Sequence, residues 1–197
     1  MDDAMAVVLV NDSGYGGTCY FNIPESSNND WGSGFSLSYF SVNDRKEALA
    51  NLIQHETGGH GFVKLSDEYS YEYMGHVSAM DIVKHTEEYE KYGWWKNTDF
   101  TSDPTKVKWS HFLTDSRYKN EDLGVFEGGL VYPYGVWRPS QNSIMNTDTD
   151  GFNAPSREAI YYRIHKLAYG ADWKYDYEEF AKWDEKNRKK EENSSIP

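Results

Sequence analysis

The sequence predicts a single α+β domain. Strand-like runs are confined to residues 6–40, helical periodicity takes over abruptly after them, and a histidine-rich segment closes the first helix. At 197 residues, with 38% hydrophobic and 16% aromatic content, the chain can bury one substantial core.

Residues 6–10, Ala-Val-Val-Leu-Val, are expected to form a buried strand that ends in the turn-rich Asn11-Asp12-Ser13-Gly14. A second short strand is expected over 18–21 and a loop over 24–30. Residues 35–40 alternate Phe35, Leu37 and Tyr39 with Ser36 and Ser38, the period of a half-buried strand. Asp44 and Glu47 then stand at capping-box spacing, and Ala48, Leu49, Leu52 and Ile53 carry a helix into His55-Glu56.

Residues 70–135 are weakly periodic. They are read as the variable wall of a cleft, with a helix near 80–92 and a loop near 98–104. Asn153 and Ser156 can cap a further helix carrying Ile160, Tyr161, Ile164, Leu167 and Ala168, which stops near Gly170. A last helix over 175–190 runs into a charged tail.

The charge balance narrows function. With 20 Lys and Arg against 32 Asp and Glu, the formal charge is −12, which repels phosphate backbones and makes nucleic acid a poor partner. No run is long and apolar enough to span a membrane, and residues 4–10 lack the basic flank of a signal peptide. Cys19 has no second cysteine to pair with and is read as a small buried filler.

A hydrolytic zinc site needs neutral imidazoles, an open position and a nearby carboxylate base. His55, Glu56 and His60 supply these groups within six residues. The histidines, however, are five apart rather than the usual four. At about 100° per residue, five α-helical steps would aim the imidazoles apart by about 140°. A local π-turn restores a common side, and Gly58-Gly59 sits where that distortion is needed. Without it, the helix would end at the glycines and leave two unrelated histidines.

The segment HETGGHGFVKLSDEY at 55–69 resembles the active-site segment of the bacterial IgA peptidase family of zinc metallopeptidases. VYPYGVWRPSQNSIMN at 131–146 and GFNAPSREAIYYRIHKLAYG at 151–170 resemble two later blocks of that family in the same order. The resemblance implies a metzincin-like zincin with a twisted mixed β-sheet, an active-site helix and a Met turn. It implies one catalytic Zn2+ held by His55 and His60, Glu56 as general base, and secretion or a cell-surface or periplasmic location. Asp67, in the matching Asp-Glu-Tyr element, is nominated as third ligand, with Glu68 as the alternative. Six residues after His60 stands Ser66, a poor ligand, and no glycine occupies the expected position of the chain reversal.

Met145 resembles the supporting methionine of the Met turn. Tyr132, Tyr134, Tyr161 and Arg138 are candidates for substrate contact, whereas His76, His85, His111 and His165 are read as structural or surface groups. Asn146–Gly151 spaces its carboxylates like a calcium loop but lacks the final acid, which favours a plain polar turn. Met1 lies so close to a strand that residues 1–197 are read as a catalytic domain excised from a longer precursor. The expected activity is endopeptidase cleavage of a protein or peptide laid along an edge strand. Two rivals are an inactive module that binds protein or glycan through an aromatic cleft, and a structural zinc domain.

Overall fold

The computed structural model describes residues 4–12, 14, 16–22, 35–41, 46–147 and 151–194. The loop expected at 24–30, the cap Asp44 and residues 148–150 of the possible calcium loop lie outside the described residues. The architecture is mixed helix and sheet, as expected.

Strands β1 (Met5–Val10), β2 (Gly17–Asn22) and β3 (Phe35–Ser41) form a mixed sheet in the order β1-β3-β2, with β1 parallel and β2 antiparallel to β3. The expected alternation of β3 is present, but Ser36, Ser38 and Phe40 are buried while Phe35 and Tyr39 are exposed. The face carrying Ser36 and Ser38 is the one turned to the helix behind it, where Ser36 Oγ crowds Gly61. Small serines let the helix approach closely where the larger Phe35 and Tyr39 would hold it off.

The burial expected for 6–10 is also corrected. Strand β1 is an edge of this sheet among the described residues, and Val7, Val8, Leu9 and Val10 are all exposed.

Helix α1 (Lys46–Ile53) runs directly into a π-helical segment, Gln54–Phe62. Helix α2 (Ala79–Tyr92) starts on Ser78, whose side chain accepts from Asp81 N, and stops at left-handed Gly93; none of its residues is fully buried. The short α3 (Ser110–Thr114) leads into the hairpin of β4 (Phe126–Gly129) and β5 (Tyr132–Arg138). After it come α4 (Ile144–Thr147), α5 (Ala154–Tyr169) and α6 (Tyr177–Ser194).

Helix α5 is capped by Asn153 as expected, yet of its five expected apolar residues Tyr161 is buried while Ile164 and Leu167 are exposed. Its inward face is built from Ala154, Ser156, Ala159 and Tyr161, together with buried Glu158 and Arg163. Trp109, Phe112, Tyr118, Tyr161 and Phe180 form the main core and fasten α5 and α6 to the loops before β4. A smaller cluster, Val63, Leu65, Ile144, Met145 and Ala159, lies beneath the π segment.

His85 of α2 packs edge-on to Trp95 with ring centroids 5.0 Å apart, and burial, aided by Lys84, pushes its imidazole down to about 4. A folded value below the ordinary ~6.5 means that the unfolded chain takes the proton first. The resulting contribution is present above pH ~6.5 and lost as pH falls toward 4. Acidification from pH 7 to 4 is therefore expected to cost His85→Leu about 2–3 kcal/mol less than the parent, as measured by urea unfolding at each pH.

Candidate metal centre

The π segment resolves the odd histidine spacing. Bonding from i to i+5 brings residues five apart onto one side, and the rings of His55 and His60 stand 4.8 Å apart. His55 Nδ1 lies 2.7 Å from the Ile144 carbonyl, and His60 Nδ1 lies 2.7 Å from the Leu65 carbonyl. A carbonyl only accepts, so each Nδ1 is the donor, and in the neutral ring this leaves the Nε2 lone pair free.

The two Nε2 atoms are 3.1 Å apart, and Asp67 Oδ1 lies 3.0 Å from His55 Nε2 and 3.1 Å from His60 Nε2. Three lone-pair atoms at such distances repel one another unless a cation or proton lies among them. Donors each ~2.0–2.1 Å from one tetrahedral zinc would stand about 3.3 Å apart, close to what is seen. Among the described residues this is the group of His, Cys, Asp and Glu side chains that could hold a metal ion. Burial by itself would raise the Asp67 carboxyl, but His60 and His55 outweigh it and hold the group well below the usual carboxylate range.

Glu68, the alternative ligand, points elsewhere. Its fully buried carboxylate accepts from Asn97 Nδ2 (2.8 Å), Ser143 Oγ (2.7 Å) and Asn153 Nδ2 (2.9 and 3.0 Å). Burial pushes this carboxyl up, against the pull of those donors. Glu68 N also donates to the Met145 carbonyl at 2.7 Å. The adjacent acids thus divide the work: Asp67 faces the histidines and Glu68 fixes the turn that presents it.

The chain reversal expected to need glycine occurs at Lys64, with φ +56°. Lys64 N and Leu65 N fold back on the carbonyls of His60 and Gly59 and close the helix end. The buried Lys64 ammonium donates to the Gly61 carbonyl, which helps offset the left-handed backbone.

Glu56 is 8% exposed and lines a cavity of about 350 Å3 with His60, Asp67, Ser66 and Tyr69. Strand β2 supplies Gly17, Thr18, Cys19 and Phe21 to the same cavity, and Trp95, Leu130 and Val131 complete it. A Cβ at Gly17 would lie 3.1 Å from Glu56 Cγ, so glycine there lets the strand pass close to the carboxylate. Cys19 is half-buried in this wall and not a buried filler, and burial raises its thiol pKa. The Tyr69 ring lies nearly parallel to His55 at 6.5 Å, and burial and then Asp67 lift its phenol above the ordinary range, so it stays a donor.

The four proposed substrate-contact residues do not gather here. Tyr161 is in the core, and Arg138 is spent on the carbonyls of Glu127, Gly128 and Ser140. Tyr132 donates to Asp81 and Tyr134 stacks beside His76. His85, His111 and His165 pack against Trp95, Phe112 and Tyr161 respectively, away from the three-ligand group. Trp95, Leu130 and Val131 had no periodic or motif signal to mark them. A larger cavity of about 800 Å3 lies elsewhere, but its Arg157 and Arg188 are already paired with Glu121 and Asp184.

Comparison with known families bears on this arrangement. The family model described as IgA Peptidase M64 matches residues 112–164, about a quarter of the chain. This supports the IgA peptidase family. The matched span holds the β4–β5 hairpin, the Ile144 carbonyl that orients His55, and Met145, and points to a peptidase. No curated protein matches the chain.

Two contrasts test the local physics. A Cβ at Gly59 would fall 2.3 Å from Met145 Sδ, whereas one at Gly58 would meet Phe152 at an ordinary 3.5 Å. Gly59→Ala should destabilise by about 1–3 kcal/mol through overpacking and Gly58→Ala should not, as read by chemical denaturation. For the acids, Asp67→Ala should weaken metal binding with little loss of stability, while Glu68→Ala, which strands Asn97 and Asn153, should cost about 3 kcal/mol or more. Melting curves alongside metal titration separate the two.

Proposed function

We propose that the protein is a zinc-dependent endopeptidase in which His55, His60 and Asp67 hold one zinc ion and Glu56 is the general base. The observation that carries the reading is the convergence of His55 Nε2, His60 Nε2 and Asp67 Oδ1 within 3.1 Å, with both Nδ1 atoms engaged by carbonyls. Zinc in such a donor set supplies Lewis acidity toward a peptide carbonyl.

The residues of the chain do the rest. Glu56 follows a ligand directly and lines the same cavity, so its carboxylate takes a proton from the attacking water and returns it to the departing amine. Strand β2 is an edge among the described residues, and its backbone can pair with an extended peptide drawn past Glu56. Met145, wholly buried against Gly59, is read as the Met turn that braces the π segment from below. The aspartate ligand leaves the site one unit more negative than three histidines would, which favours a divalent ion.

By family resemblance the substrate is a protein or peptide and the location is secreted, cell-surface or periplasmic. No helix among the described residues is long and apolar enough to cross a membrane. The reading as an inactive binding module is disfavoured by Glu56 in the cavity wall. A closed structural zinc site would need a fourth protein ligand, and among the described residues only three gather.

Purified protein should carry about one zinc per chain, measured by elemental analysis, and His55→Ala and His60→Ala should lose it. Glu56→Gln should keep the metal and lose peptide cleavage by about 10²-fold or more. Stoichiometric zinc in the double histidine variant, or undiminished cleavage by Glu56→Gln, sinks the proposal.

A further inference from the structure

Among the described residues, four other than glycine adopt a left-handed backbone: Lys64 (φ +56°), Trp95 (+59°), Leu130 (+50°) and Val131 (+65°). They are not scattered. Trp95, Leu130 and Val131 all line the cavity that contains Glu56, His60 and Asp67, and Lys64 accepts the backbone bond from Trp95 N at 3.0 Å. Bulky and β-branched residues in this region are genuine outliers, and such strain gathers at sites of function.

Leu130 and Val131 are the two central residues of the β4–β5 hairpin, since Gly129 pairs with Tyr132. Positive φ at both defines a type I′ turn, for which Asn-Gly is the favoured pair and Leu-Val one of the poorest. The turn is held by Leu130 N donating to the Asp67 carbonyl (2.9 Å) and Val131 N to the Tyr69 carbonyl (3.2 Å). These are backbone bonds, which Asn-Gly would make equally well. What Leu-Val adds is apolar surface on the cavity wall.

Trp95 is pinned in the same way. Besides its bond to Lys64, its indole donates to Glu88 at 2.7 Å and its carbonyl accepts from Lys108 at 2.9 Å. Its ring packs on Phe21 of β2, another lining residue, with centroids 5.7 Å apart.

We propose that the β4–β5 hairpin tip, Leu130-Val131, forms with Trp95 and Phe21 an apolar receptor that selects peptides carrying a bulky aliphatic or aromatic side chain beside the scissile bond. The inference deepens the peptidase reading and rests on it. A cavity of about 350 Å3 is at the small end of ligand sites and suits one such side chain. Glu56 and Asp67 on the same cavity repel an acidic one.

The test uses the zinc-loaded protein and a peptide series in which one position is Leu, Phe, Gly or Asp. The wild type should favour Leu and Phe. Leu130→Asn with Val131→Gly should cut the Leu-to-Gly and Phe-to-Gly ratios of kcat/KM by at least about tenfold, the size of effect a few lost methylene contacts produce. The same double variant should keep its zinc and melt roughly 3–6 °C higher, because the turn is relieved. Leu130→Met, which restores an apolar wall, should keep the preference.

Unchanged ratios, or a lower Tm in the Asn-Gly variant, would overturn the proposal. If the wild type cleaves none of the peptides, the peptidase reading fails by itself. The receptor is then decided by the NMR shift of the Trp95 indole on titration with N-acetyl-leucinamide against N-acetyl-aspartamide. A larger response to the leucine probe that is lost in the Asn-Gly variant supports it, and equal responses overturn it.

Discussion

The arrangement around the three-ligand group depends on the buried carboxylate of Glu68. It lies at zero exposure without a cation within hydrogen-bond reach, held instead by Asn97, Ser143 and Asn153 from three separate segments. Burying an ionised carboxyl is costly unless each oxygen is satisfied. Here the donors close around it, so segments far apart in the chain must all be in place together. Asp67 is its neighbour, and the strand-like turn that shows Asp67 to the histidines cannot shift without breaking that closure.

Much of the site was legible because its chemistry is local. His55, Glu56, His60 and Asp67 fall within thirteen residues, and the five-residue step with Gly58-Gly59 predicted a helix that departs from α geometry. The reason for Gly59 was only half legible. Backbone latitude could be read from the glycine, but the sulfur of Met145 pressed against it could not, since that contact spans eighty-six positions. For the same reason Glu68 looked like a spare ligand, because its partners lie at residues 97, 143 and 153.

The fold was less legible where burial contradicts polarity. Alternation located β3 correctly but suggested the wrong inner face, because the need for a close helix approach favours Ser36 and Ser38 over Phe35 and Tyr39. Apolar residues marked 6–10 as interior, yet β1 is an exposed edge among the described residues. The walls of the cavity, Trp95 and Leu130-Val131, lie in the stretch with least periodicity. Their position follows from turn geometry and from backbone bonds to residues 64, 67 and 69, none of which leaves a pattern in the one-dimensional order of residues.

The carbonyl that orients His55 belongs to Ile144, eighty-nine residues further on. During synthesis from the N-terminus, at about 5–20 residues per second, the segment carrying both histidines and Asp67 exists for seconds before its anchor has been made. In that interval nothing in the chain fixes which nitrogen of His55 bears the proton or where its ring points. Metal capture by a preformed site is therefore a late event in the life of the nascent chain, and a chain cut short before residue 144 would carry the complete ligand motif without the orientation that makes it a site.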